Sequence, residues 1–361
     1  MTNKQLTQLR AGLLSWFDKN QRKLPWRETH NPFFIWISEV MLQQTQVKKV
    51  LDYYENFINK FPDIHSLAQA DLQHVLKAWE GMGYYARARN LHKASQLIAN
   101  EMNGIIPDNY SDFRRLPGAG DYITAAVLSL AFDKPYAVVD GNVKRVISRL
   151  LRIDEPVSAS SSRKIFCEKA DLLLDRNKPG TFNQAMMELG ALICRPKNPD
   201  CKACPVASFC LAFKTNDQAK FPVTIRSRET PEYHISVAVI FKNERILITQ
   251  RKPDGLLGGL WEFPGGRRHD GEPADIACIR NIKDKVNINI DNLDFMTHIN
   301  HAYSHFKIQV DVFRCRFKSG MVALNGPVDY RWILLDEIAE FPFHAAHHKF
   351  IPILNGSHNN K

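Results

Sequence analysis

Four of the seven cysteines in this chain fall in one short stretch, Cys194-x6-Cys201-x2-Cys204-x5-Cys210. Thiols packed this closely along a chain are tied together either by disulfides or by metal. The other three, Cys167, Cys278 and Cys315, are scattered singly, and the N-terminus MTNKQLTQLRAGLL lacks a basic segment followed by an apolar core and a cleavage site. Both features point to a reducing compartment, where thiols stay free and bind metal. Soft thiolates suit tetrahedral zinc or an iron–sulfur cluster. Structural zinc usually takes two close pairs joined by a longer excursion, whereas here one tight pair stands between two single cysteines. The spacing favours the cluster and leaves zinc as the alternative.

A chain of 361 residues with 44% hydrophobic composition is long enough for two domains with cores of their own. No apolar run is long enough to span a membrane. The net charge of +10 favours a polyanionic partner, but charge needs a motif beside it before it identifies one. Residues 1–213 carry helical spacing, as in Val40, Met41, Gln44, Val47, Leu51 and Tyr54, and predict an all-α domain. Residues 214–232, which begin KTNDQAKFPVTIRSRETP, are polar and hold two prolines, the signature of a linker. In residues 233–361 the period falls to two, at Ile235, Val237 and Val239, at Ile246 and Ile248, and at Phe306, Ile308, Val310 and Val312. That alternation predicts strands, and an α/β domain.

In the helical half, Leu116-Pro117-Gly118-Ala119-Gly120 separates a short helical stretch, Tyr110 to Arg115, from a longer one, Tyr122 to Phe132. This is a helix-hairpin-helix pattern. Gly118 and Gly120 let the turn approach another backbone, and the next helix aims free N–H groups at an anion such as a DNA phosphate. An ordinary tight turn is the plainer alternative. Asp121 would repel a phosphate and must point away if DNA docks there. Further on, Asp140 opens the helix VKRVISRLL as an N-cap, a position whose free N–H groups favour an ionised carboxylate. Glu39 lies three residues from Trp36 and Leu42 and four from Ile35 and Gln43, a mainly apolar helical neighbourhood. Burial there would keep it protonated near neutral pH; a solvent-facing glutamate is the alternative. One raised acid beside one ionised carboxylate is the usual division of labour in glycosidic cleavage.

The strings WISEVMLQQTQV, EGMGYYARARNL, LPGAGDYITAAVLSLAF, VVDGNVKRV, FNQAMMELGALIC and the four-cysteine loop, in this order, closely resemble the adenine DNA glycosylases, the MutY family of the helix-hairpin-helix superfamily. The resemblance covers the whole helical half and, less strongly, the rest. It implies a multidomain protein: an all-α glycosylase with an iron–sulfur loop, residues 194–210, followed by an α/β Nudix-like domain. It implies removal of adenine mispaired with 8-oxoguanine or G in double-stranded DNA, for base excision repair. Glu39 would protonate the adenine ring and Asp140 would stabilise the oxocarbenium-like sugar, with Tyr122 and Asn142 holding sugar and Asp140. Trp26, Arg27 and Gln184 would surround the extruded adenine. Gln44, Thr45, Met82 and Tyr84 match the wedge and opposite-base contacts. Cys194, Cys201, Cys204 and Cys210 would hold a [4Fe-4S] cluster, with Arg195, Lys197 and Lys202 turned to the phosphate backbone. The protein would be a cytoplasmic monomer working with the chromosome.

In the related endonuclease III branch a lysine follows the hairpin and forms a Schiff base that leads to strand cleavage; here that position is Tyr122. The expectation is a monofunctional enzyme that leaves an abasic site. An endonuclease III-like glycosylase for oxidised pyrimidines is the runner-up, and a catalytically decayed DNA-binding scaffold or a nucleotide hydrolase stands further off. In the second half, the string from Gly258 to Gly266 resembles the entry to a Nudix box, whose helix carries carboxylates for divalent metal. Here Glu272 and Arg280 remain, but the following positions are Asn281, Asp284 and Lys285, so hydrolysis is not expected. The resemblance implies a recognition module instead, with Tyr303, Ser304 and His305 contacting 8-oxoguanine. His298 and His301 read as surface residues.

Overall fold

The computed structural model of the chain describes residues 1–159, 161–225 and 230–356. Helical spacing resolves into α1 (Asn3–Asn20), α2 (Pro32–Leu42), α3 (Val47–Lys60), α4 (Ile64–Gln69), α5 (Leu72–Ala78), α6 (Ala86–Glu101), α7 (Tyr110–Arg115), α8 (Asp121–Phe132), α9 (Gly141–Leu151), α10 (Ser162–Leu173), α11 (Pro179–Leu192) and α12 (Leu211–Lys214). Their starts carry the chemistry expected of helix ends. Thr2 and Gln5 form a capping box on α1, and Asn31 caps α2 with Pro32 in its first turn. The backbone divides into two compact units, each drawn from two separate stretches of sequence: Met1–Ala68 with Lys93–Ser227, and Gln69–His92 with Arg228–Lys361.

In the first unit, Leu6, Leu9, Leu13 and Phe17 of α1 pack against Val146 and Ile147 of α9, Phe166 of α10, and Phe182 and Leu189 of α11. Each such side chain contributes about 1.5–3 kcal/mol on leaving water. Two glycines let α11 come close to its neighbours. A Cβ on Gly180 would sit 2.5 Å from the Ser129 carbonyl of α8, and one on Gly190 would sit 2.6 Å from Asn142 Cβ at the start of α9. The polar stretch after α12 is not all linker. Phe221 is buried, and the Arg149 Nε–H donates to the carbonyls of Gln218 and Phe221 at 3.1 and 3.0 Å. Its polar composition concealed a segment fastened to the helical core by a buried arginine.

The second unit carries β1 (Glu232–Lys242), β2 (Arg245–Gln250), β3 (Trp261–Glu262), β4 (Gly265–Arg267), α13 (Ala274–Val286), β5 (Asn289–Ala302), β6 (Lys307–Ser319), β7 (Asp329–Ile333), α14 (Ala345–His348) and α15 (Ile351–Gly356). The sheet runs β3-β2-β1-β6-β5, with β4 paired to β1 and β7 to β2. Only the β1–β6 pairing is parallel among the described ladders. Val237, Val239, Ile248 and Val310 face a layer containing Phe343 and Phe350, while Ala238, Ile240, Leu247 and Cys315 face Cys278, Ile282 and Val286 of α13. The expected period of two holds, with Ile235, Val237 and Val239 toward one layer, but because both faces are covered β1 also buries Ala238 and Ile240, without a break from Val237 to Ile240. The strand expected from Phe306 to Val312 starts at Lys307 and continues to Ser319.

Candidate active site

Helix α2 delivers Glu39 into the interior of the first unit, where only 3% of the residue is exposed. The Tyr122 hydroxyl, from α8, donates to its Oε2 at 2.7 Å. Burial pushes the Glu39 carboxyl up to about 7, against the downward pull of the Tyr122 bond and the Arg27 charge, with Asp140 adding to the rise. Burial also drives the Tyr122 phenol well above its ordinary range, helped by Glu39 and Asp140. Tyr122 therefore stays a neutral donor.

Asp140 is the N-cap of α9: its Oδ1 accepts from the Val143 N–H at 2.6 Å and its Oδ2 from the Asn142 amide at 2.9 Å. The cap by itself favours an ionised carboxylate. Against this, burial raises the Asp140 carboxyl above its ordinary value, and the bonds from Val143 and Asn142 with the charge of Arg145 only partly offset it. The cap is local and visible in sequence; the burial is tertiary and is not. Two more side chains fix this corner. Asn183 accepts from the Val138 N–H at 3.1 Å and donates to the Tyr136 carbonyl at 2.8 Å, pinning the segment that leads into Asp140. Arg145 donates to Asn142 Oδ1, to the Gly190 carbonyl and to the Cys194 carbonyl, each at 2.8 Å. By occupying the Asn142 oxygen it turns the amide nitrogen toward Asp140.

Trp26, Arg27, Glu39, Thr45, Tyr122, Asp140, Asn142 and Gln184 all line one cavity of about 450 Å³ in this unit. That size suits a small planar ligand. Its wall also holds two charged partners of Arg27's corner that no sequence motif marks, Glu188 and Arg22. Glu188, on α11, takes Arg27 Nη1 and Nη2 at 3.1 and 2.9 Å, and Arg22 Nε and Nη2 at 2.9 and 2.6 Å. Burial opposes ionisation of Glu188, but the hydrogen bonds from Arg22 and Arg27 hold it at about 2. The one local signal is its position four residues after Gln184, on the same helical face.

The cysteine loop follows α11. Cys194, Cys201, Cys204 and Cys210 line one pocket, together with Arg149. Arg149, only 2% exposed, donates to Cys194 Sγ at 3.4 Å and to the Arg195 and Pro196 carbonyls at 2.7 and 3.0 Å. Burial first, and then neighbouring thiols, push Cys204 up to about 12 and raise Cys201 and Cys210. Bare thiolates are thus unfavourable here without a cation to compensate them. Among the described residues, no three His, Cys, Asp or Glu side chains are gathered as one metal ion would need. Arg195, Lys197 and Lys202 are exposed on this loop.

A family of helix-hairpin-helix (HhH-GPD) superfamily base excision DNA repair proteins matches residues 37–170, and the NUDIX domain family matches residues 236–352. Adenine DNA glycosylase from Rattus norvegicus is 32% identical over 92% of this chain and 75% of its own. The human enzyme is 31% identical over 95% and 72%, and that of Buchnera aphidicola (strain Sg) 34% identical over 82% and 84%. The chain belongs to the adenine DNA glycosylase family. It is a DNA N-glycosylase that excises adenine in base excision repair, and DNA is its partner. A thermostable thymine-DNA glycosylase is similar in structure, with a TM-score of 0.53 at 29% identity over 59% of this chain and 98% of that one. Endonuclease III bound to DNA, at 22% identity and a TM-score of 0.51, covers 60% of this chain and 98% of that one and shares the fold.

The glycosylase's hairpin joins α7 to α8. Gly118 adopts φ 80°, a left-handed conformation that side chains resist, and nothing lies within 4 Å of where a Cβ on Gly120 would stand. Asp121 is turned onto Arg114, at 2.7 Å, and onto Arg163. Gln44, exposed just beyond α2, has a left-handed backbone with φ 56°. In the second unit Tyr84 has φ 50°, and its hydroxyl bonds Ser304 Oγ. Met82 is buried nearby in sequence. Tyr303, Ser304 and His305 form the turn between β5 and β6, with Ser304 and His305 exposed. The Tyr303 ring stacks on Phe306 at 4.7 Å, and its hydroxyl meets His344 Nδ1 at 3.2 Å. His298 lies at the surface as expected and pairs there with Asp311 at 2.7 Å, while His301 is half-buried and packs against Tyr303. Where Nudix carboxylates would stand, Glu272 is paired with Arg280 at 2.7 Å and Asn281 is buried against the Ala277 carbonyl. The Lys285 ammonium donates to the Gly265 carbonyl.

Proposed function

We propose that the cavity removes adenine mispaired with 8-oxoguanine or G, with Glu39 as proton donor and Asp140 as the carboxylate facing the sugar. The observation that carries the reading is a buried carboxyl poised at about 7 in the same cavity as a capped aspartate. An adenine turned out of the duplex enters between Trp26, Arg27 and Gln184. Neutral Glu39 protonates a ring nitrogen. The glycosidic bond then breaks with its electron pair going to the base, and the sugar cation that develops faces Asp140. That cation favours the ionised form which burial alone resists, so the pair of carboxyls separates into acid and anion as the reaction proceeds. Water then adds to the sugar cation, its proton passing to the Glu39 carboxylate, and an abasic site is left. Tyr122 offers no amine for a Schiff base, which supports a monofunctional enzyme.

Gln44, Thr45, Met82 and Tyr84 supply the wedge and the contacts to the opposite base. The left-handed backbones of Gln44 and Tyr84 support this, because such strain collects at functional positions. Gly118 and Gly120 seat a phosphate, while Tyr303, Ser304 and His305 read 8-oxoguanine. The unit of residues 1–68 and 93–227 carries the chemistry, and residues 233–361 carry the lesion reading.

Cys194, Cys201, Cys204 and Cys210 hold a [4Fe-4S] cluster. Their donor chemistry fits: half-buried thiols sharing a pocket need compensating iron, and a cluster spreads its ligands over separate metals rather than gathering them on one ion. When bound it supplies charge compensation and rigidity to a loop presenting Arg195, Lys197 and Lys202 to phosphates. The protein works as a monomer in the reducing cytoplasm, beside the chromosome.

Single-turnover base release from duplexes bearing A opposite 8-oxoguanine, A opposite G, and thymine glycol tests this reading. Adenine should leave the first two, with strand breakage only after alkali. Release of thymine glycol, or an adduct trapped by borohydride, would favour the endonuclease III-like alternative.

A further inference from the structure

Glu188 lies outside the reaction drawn above, yet it is the most heavily bonded side chain in the cavity wall. Only 1% of its side chain is exposed. Both its oxygens are taken by the forks of Arg22 and Arg27, and the Arg22 backbone N–H adds a further bond at 2.9 Å. Bidentate pairing of this kind fixes direction as well as charge. The Arg27 guanidinium is also held against the Phe17 ring, 5.2 Å from its centroid.

We propose that Glu188 is a positioning residue for base excision: it pins Arg27 to the cavity wall and takes up its charge, so that Glu39 keeps its proton. The inference rests on reading Glu39 as the acid. Three groups act on the Glu39 carboxyl: Tyr122 from α8 by a hydrogen bond, Asp140 from the cap of α9, and Arg27 from the turn Pro25–Arg27. Arg22 and Lys48 line the same cavity, and α11 adds Glu188. Arg27 is the cation that favours ionised Glu39. Removing the Glu188 charge leaves the charge of Arg27 unbalanced and frees Arg27 to turn toward Glu39. Both changes draw the proton off. Removing Arg22 does the reverse, because Glu188 then neutralises Arg27 alone and one positive charge leaves the wall.

The test is single-turnover adenine release from an A opposite G duplex, at saturating enzyme, across pH 5.5 to 9 (about the span that brackets a carboxyl near 7). The wild-type rate should fall as pH passes through about 7. Glu188→Gln should move that fall about one pH unit lower, so that release is about tenfold slower than wild type at pH 8 but within about twofold at pH 5.5. Arg22→Ala should move it higher, and decides the matter if Glu188→Gln does not fold. A purely structural role would instead lower the rate evenly at every pH, and a fall that stays in place in either folded variant overturns the inference. A wild-type profile flat through pH 7 would remove the Glu39 reading itself, and this inference with it.

Discussion

Replacing Glu39 by glutamine removes a carboxyl that the folded chain protonates near pH 7, against an ordinary value of 4.5. A carboxyl raised on folding favours the native state at low pH. Its contribution is complete below about 4.5 and is lost as pH rises through about 7. Above that, wild type must keep a carboxylate in a site only 3% exposed, at a cost of about 3 kcal/mol. Glutamine keeps the Tyr122 bond through its amide oxygen and carries no charge. Its NH2 group gains no evident partner, which costs about 1 kcal/mol at every pH. Glu39→Gln should therefore be slightly less stable than wild type at about pH 4.5 and more stable by about 2 kcal/mol at about pH 8.5, while losing adenine release. Thermal unfolding of both proteins at the two pH values measures this. The midpoint difference should swing by about 6–12 °C in favour of the variant on going to high pH, at about 2–4 °C per kcal/mol for a unit of this size. A difference independent of pH would mean that Glu39 titrates as an ordinary exposed carboxyl, and the acid role would fall.

Gly190→Ala should slow single-turnover release by about tenfold or more while leaving the protein folded, because the new Cβ would sit 2.6 Å from Asn142 Cβ and must displace the partner of Asp140. An unchanged rate would show that Asn142 moves without consequence. Purified protein should carry about four irons per chain, and Cys204→Ser and Arg149→Ala should both lose iron, the second because Arg149 fastens the loop through the Arg195 and Pro196 carbonyls. Stoichiometric zinc in anaerobically prepared protein would contradict the cluster. Ser304→Ala should reduce the preference for A opposite 8-oxoguanine over A opposite G by about 1–3 kcal/mol, and Tyr84→Phe should move it the same way through their shared hydrogen bond. Rate ratios at limiting enzyme read this out, and an unaltered ratio would remove the loop from lesion reading.

The local parts of this molecule are legible in its sequence. Pro117, Gly118 and Gly120 bound α7 and α8 to within one residue, and Asp140 announces itself as a cap because capping is a contact between near neighbours. Apolar residues three and four positions from Glu39 foretell its burial. What depends on distant chain is not legible. Glu188 meets Arg22 and Arg27 across 166 and 161 residues, and no local pattern records the pairing. The grouping of Gln69–His92 with the second unit is equally silent, since it follows from contacts such as Lys77 to the Phe341 carbonyl and Glu80 to the Phe343 N–H. The same holds for Asp140, where a visible cap predicts an ionised carboxylate and unseen burial pushes the other way. The unbroken apolar run in β1 has the same origin: one helix and one aromatic layer, both remote in sequence, cover its two faces.

The proposed mechanism divides the chemistry between two carboxyls in one cavity, Glu39 as acid and Asp140 as anion. Single-turnover release of adenine from a duplex carrying A opposite 8-oxoguanine, measured for wild type, Glu39→Gln and Asp140→Asn with binding to the same duplex, tests it most directly. Both variants should bind the duplex and fold, and each should release adenine at least about 100-fold more slowly than wild type. Release within a few-fold of wild type by either one, with binding intact, would contradict the account.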